Sequence, residues 1–106
     1  MAKLIKDSFK AWIDNMPGSP RKLIVVGKLE TPTAGWTAKL KYRVPQGINP
    51  KILLLDAVAA APSGPAAEVI SQIDVRYEES PPQQDYTDVT VFSGDESLTV
   101  KVGTTH

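Results

Sequence analysis

Beyond residue 21 the chain never runs far without a proline or a glycine, and this punctuation constrains its fold more than any other feature. Proline has no amide hydrogen for a helix interior and glycine weakens one, so what lies between the breaks is short and extended. Six segments read as strands. Residues 22–30 (KLIVVGKLE) are rich in β-branched side chains. Residues 36–44 (WTAKLKYRV) set Trp36, Ala38, Leu40, Tyr42 and Val44 against Thr37, Lys39, Lys41 and Arg43. That alternation is the mark of a strand with one buried face. Residues 51–59 (KILLLDAVA) are apolar on both faces, as a central strand is. Residues 68–78 place Val69, Ile73, Val75 and Tyr77 opposite Gln72, Asp74 and Arg76, and 86–93 and 97–102 supply two more strands. Between the last two, Ser93-Gly94-Asp95-Glu96 suits a hairpin.

The first sixteen residues have a different period. Ile5, Phe9, Trp12, Ile13 and Met16 fall at i, i+4, i+7, i+8 and i+11, which predicts one face of an amphipathic helix over 1–16. Pro17-Gly18-Ser19-Pro20 ends it within a linker, 17–21. With no crossover helix between strands, a parallel α/β sheet is disfavoured. The expected fold is all-β: an antiparallel immunoglobulin-like or fibronectin-like β-sandwich of six to seven strands over 22–103. A short N-terminal helix precedes it and a disordered tail, 104–106, follows. A Greek-key barrel is the alternative.

Composition narrows the chemistry. At 106 residues and 42% apolar content the chain builds one core. It holds no cysteine, and its single histidine is His106, so thiolate nucleophiles, the usual triads and His- or Cys-based metal sites have no members. The expectation is a domain that is not an enzyme and takes no cofactor. Glu78, Glu79, Asp85 and Asp88 lack the ligand spacing of a calcium loop. No apolar run is long enough to span a membrane, and the N-terminus lacks a signal-peptide core. The default compartment is therefore the cytoplasm, with a periplasmic or secreted location left open.

The net charge of zero conceals an asymmetry. Residues 1–51 carry ten basic and three acidic side chains, a net of +7, and residues 52–106 carry two and nine, a net of −7. Neighbouring strands drawn from both halves would neutralise one another, for instance strand 36–44 with strand 68–78. The basic row Lys39, Lys41 and Arg43 has no interleaved surface aromatics, so nucleic acid is not the expected partner. A protein is, and a second copy of the chain is one candidate.

Antiparallel succession gathers the connections Thr31–Gly35, Ala60–Ala67 and Ser93–Glu96 at one end, and Pro45–Pro50 and Glu79–Asp85 at the other. Within the first group, TPTAGW combines a fixed φ at Pro32 with a glycine free to take positive φ at Gly35, a preorganised turn. Trp36 follows in phase with Ala38 and Leu40, which predicts a core side chain; at the rim it would instead anchor a partner. This loop resembles the Asn-Pro-Thr-Thr-Gly-aromatic loop of the chagasin-like inhibitors of papain-type cysteine proteases. Those are cysteine-poor immunoglobulin-fold proteins that bind through three loops at one end. The resemblance implies that Thr31, Pro32, Thr33, Gly35 and Trp36 enter a protease cleft. It stops at this loop. Thr31 and Ala34 depart from the pattern, Pro62-Ser63-Gly64-Pro65 does not match the Gly-x-Gly-Gly second loop, and the third loop has no counterpart.

Overall fold

The computed structural model describes residues 2–65 and 67–105, and every regular element among them is a strand. These are β1 (Lys3–Asp14), β2 (Lys22–Thr31), β3 (Thr37–Tyr42), β4 (Ile52–Ala60), β5 (Ser71–Glu79), β6 (Asp88–Ser93) and β7 (Glu96–Thr105). The all-β expectation holds and the N-terminal helix does not. Residues 3–14 pair with β2 on one side and β7 on the other.

The physical reason for that correction is a bulge. Ile5 pairs with Lys28 and Lys10 with Val26, so four residues of β1 face Gly27 alone. An odd mismatch flips the alternation. Leu4 points inward before the bulge, and Phe9, Ala11 and Ile13 point inward after it. A strand with one flip produces apolar spacings of four and three that imitate a helix. Ser8 holds the bulge: its hydroxyl donates to the Ile5 carbonyl (2.6 Å) and accepts from the Lys28 amide (2.9 Å). Of the five supposed helix-face residues, Phe9 and Ile13 are buried, Ile5 and Trp12 half-buried, and Met16 exposed.

The strands follow the order β3-β4-β6-β7-β1-β2-β5. β7 joins the two halves, pairing with β6 through Glu96–Lys101 and with β1 from Val102 onward. The order's two ends, β3 and β5, come together, so the sheet nearly closes on itself. This continuous order replaces the two separate sheets of the expected sandwich. Nor is it purely antiparallel, because β4 runs parallel to β6 and β1 parallel to β7. Between β4 and β6 the chain crosses to place β5 beside β2, the kind of long connection a parallel pair needs.

Inside lie Leu23, Val25 and Leu29 of β2, Leu53 and Leu55 of β4, and Val89 and Val91 of β6, all fully buried. Several expected boundaries move. β3 starts one residue after Trp36 and ends before Val44, which is exposed. β5 starts after Val69 and continues through Glu79. Residues 104 and 105 belong to β7 rather than to a tail, and His106 lies outside the described residues.

Ion pairs join the oppositely charged halves at Lys22–Glu78 (3.2 Å) and Arg43–Asp56 (3.8 Å). The second pair links the residue just after β3 to β4; β3 does not hydrogen-bond with β5, where its acidic partners were expected. Arg43 also stacks over the Phe92 ring, 4.1 Å from its centroid.

Candidate functional site

Strand direction fixes which loops share an end. β2 finishes beside the start of β5 (Thr31 opposite Ser71), β4 finishes beside the start of β3 (Ala60 opposite Thr37), and β6 turns into β7 at Ser93 and Glu96. The β2–β3, β4–β5 and β6–β7 connections therefore gather at one end, as the alternation implied.

There TPTAGW is built as a rigid turn. The Thr31 hydroxyl donates to the Thr33 carbonyl (3.0 Å), the Ala34 amide to the Ala67 carbonyl (3.1 Å), and the Trp36 indole N–H to Thr33 Oγ1 (2.9 Å). Gly35 takes φ +86°, and a side chain there would also press on Pro62, 3.2 Å from its Cβ. Thr31 is buried, Thr33 and Trp36 are half-buried, and Pro32 and Gly35 are exposed. Of the five predicted contact residues, then, Thr31 faces inward and cannot reach a partner. Thr33 is a partner of both Thr31 and Trp36 rather than a free loop tip. The SGDE hairpin puts Gly94 at φ +57°, the first central position of a type II′ turn, which glycine favours.

Trp36 lies half-buried at this end, outside the core cluster. With Ala2, Ala57, Ala59 and Gly94 it lines a hollow of about 180 Å³. Its phase was legible, but it is half-buried rather than a core side chain, because the strand begins after it. Trp36→Ala should cost about 2 kcal/mol in urea denaturation, below the ~3–5 kcal/mol of a fully buried aromatic. Trp36→Phe should recover most of that loss, because the ring contact outweighs one half-exposed hydrogen bond worth ~1 kcal/mol.

Beside this turn the backbone leaves Val69 and Ile70 outside any strand, 58% and 71% exposed. Ile70 and Pro32 line a second hollow with Lys3 and Glu30. Sequence reasoning assigned Val69 to a buried strand face and missed this patch. The signal available was the pair of adjacent β-branched residues directly after a proline-rich loop.

The opposite end carries a polar cluster that the alternation could have revealed. Glu79 shares the inward parity of Ile73, Val75 and Tyr77, and it is 7% exposed. Its Oε2 accepts from Tyr77 Oη (2.6 Å), and its Oε1 from Tyr86 Oη (3.0 Å) and the Gln83 amide (3.0 Å). Burial, then the neighbouring carboxylate, pushes both phenols above the ordinary tyrosine range. Glu78, one residue earlier, points outward instead, held below the usual carboxylate range by Arg76 and then Lys22. Adjacent acids on one strand thus do opposite things, and no three acidic side chains of the described residues converge.

No helix among the described residues is long and apolar enough to cross a membrane. No family model, curated protein or solved structure matches the chain.

Proposed function

We propose that the protein is a non-catalytic binding domain whose protein partner docks on the end formed by Thr31–Trp36, the β4–β5 connection and the Ser93–Glu96 hairpin. The observation that carries this reading is the pairing of a rigid turn with exposed apolar side chains. Pro32 stands out from a turn tied down by three hydrogen bonds, and Val69 and Ile70 are exposed beside it. Preorganisation lowers the entropy cost of association, and apolar anchors supply its driving force. The chain would use its strand ends as immunoglobulin-like binding domains do, with a strand order of its own. Support for a non-catalytic role comes from composition, which supplies no cysteine and no histidine before residue 106.

The test compares the unmodified protein with a Val69→Asp/Ile70→Asp variant in capture from its native host, with circular dichroism as the control for folding. Partners retained by the first and lost at least about tenfold by the second support the reading, since removing two anchors at ~1–2 kcal/mol each has that effect. Identical captures would overturn it. Light scattering of the same pair reports whether the partner is a second copy.

A second reading, inhibition of papain-type cysteine proteases, is favoured by the clustering of three loops at one end. Pro32, Thr33, Gly35 and Trp36 would make the contacts, since Thr31 is buried. Papain activity left unchanged by micromolar protein would dispose of it.

A further inference from the structure

At the end away from these loops, a pocket of about 110 Å³ opens between the β3–β4 and β5–β6 connections. Tyr42, Gln46, Asn49, Ile52, Gln84 and Tyr86 line it, and no lining side chain is charged. Its wall is fixed. The Gln46 amide nitrogen donates to the carbonyls of Arg43 (2.6 Å) and Leu54 (2.8 Å), and its oxygen accepts from the Leu54 amide (2.8 Å). That side chain extends the β3–β4 pairing beside Leu54, whose carbonyl also accepts from the Arg43 amide (3.1 Å). Asn49 Oδ1 accepts from the Lys51 amide (3.0 Å), closing the other side of the loop.

We propose that this pocket binds an alkylammonium group, the chemistry shared by a lysine side chain and a free primary amine.

Three observations lead there. First, the acceptors left free on the wall are those of Tyr86 and Gln84, since the Gln46 oxygen and Asn49 Oδ1 already accept from backbone amides. The Tyr86 phenol has one proton and gives it to Glu79, so the pocket meets its ring or its oxygen lone pairs. Both Gln46 amide hydrogens are likewise committed, whereas Gln84 makes no hydrogen bond that would stop it presenting its oxygen. Second, the Glu79 carboxylate behind Tyr86 has hydrogen-bond donors around it but no basic partner among the ion pairs of the described residues. An uncompensated buried negative charge projects its field into the adjoining cavity and favours a cation there. Third, two tyrosine rings border the space, and aromatic faces attract ammonium groups. An anion would meet the wrong field, and a purely apolar group would leave the Gln84 oxygen desolvated.

The experiment is an amide-resolved NMR titration of the full chain with n-butylammonium and, separately, with 1-butanol, its neutral counterpart in size. Saturable shifts confined to Tyr42, Gly47, Ile52, Gln84 and Tyr86, with the ammonium bound at least about tenfold more tightly, are expected from a cation–π contact in a negative field. Glu79→Gln should erase most of that preference. If the variant does not fold, the comparison on the unmodified protein still decides. Equal shifts from the two probes, shifts elsewhere, or none would overturn the proposal. A further arm with Nα-acetyl-lysine methylamide separates the sources. Tighter binding than butylammonium points to a partner's lysine, and equal or weaker binding to a free amine.

Discussion

Replacing Gly27 with alanine should lower the unfolding free energy by about 3 kcal/mol, the upper part of the range for an overpacked core. A Cβ at that position would lie 2.5 Å from Phe9 Cγ, with two further ring carbons as close. The ring cannot swing clear, because Phe9 is buried within the same core cluster. Nor can β2 retreat, since it is paired on both sides. The glycine therefore exists for the bulge: four residues of β1 loop over one residue of β2, and Phe9 comes down where a side chain would have been. Phe9→Ala alone should cost about 3–5 kcal/mol by emptying the site. In that background Gly27→Ala should be neutral or slightly stabilising, because alanine in a strand gains about 0.5–1 kcal/mol over glycine once nothing obstructs it. Urea denaturation of the four proteins in the cycle checks this through a coupling of at least ~2 kcal/mol. Strictly additive costs would mean that the ring does not rest on Gly27.

The same bulge marks where sequence reasoning gave out. A pattern search assumes one period per segment, and β1 has two phases joined between Ile5 and Lys10. Where a strand keeps a single phase, the reading holds in part: Ala38 and Leu40 face inward against Ala59 and Ala57, whereas Tyr42, at the strand's end opposite Leu55, is exposed. Loop grouping was legible too, because strand direction needs only a count of reversals. Strand order was not. That β4 neighbours β6, and β1 neighbours β7, depends on contacts between distant segments that no local pattern encodes. At the candidate site, the rigidity of TPTAGW followed from Pro32 and Gly35, but the inward turn of Thr31 and the role of Thr33 arise from bonds that residue types alone do not specify. Glu79 was missed for a different reason. An acidic residue after another acidic residue reads as a strand's polar end, although its parity with Val75 and Tyr77 placed it inside.

That parity has the largest consequence for stability. Glu79→Ala should destabilise the protein by about 3–5 kcal/mol, the cost of removing one member of a buried polar network. The loss strands two phenol hydroxyls and the Gln83 amide at once, and it leaves a void beneath Tyr86. Glu79→Gln should cost less, about 1–3 kcal/mol, because the side-chain oxygen still accepts while the amide nitrogen faces a donor. Tyr77→Phe and Tyr86→Phe each remove one donor and leave the carboxylate the others. Each should fall near ~1–2 kcal/mol, with a double variant exceeding the sum because the last donors then hold the charge alone. The cluster also sets the alkaline limit. Tyr77 and Tyr86 have folded-state pKa values raised above the unfolded value, so the neutral phenol is the form the fold selects. Their contribution is complete below an unfolded pKa of about 10 and is lost as pH rises from there toward the folded values. Stability should therefore fall with each step of pH above about 10. Tyrosinate absorbance from these two residues should appear together with the loss of the circular dichroism signal rather than ahead of it. Ionisation of all the tyrosines in a chain that is still folded would show that the phenols do not hold their protons on Glu79.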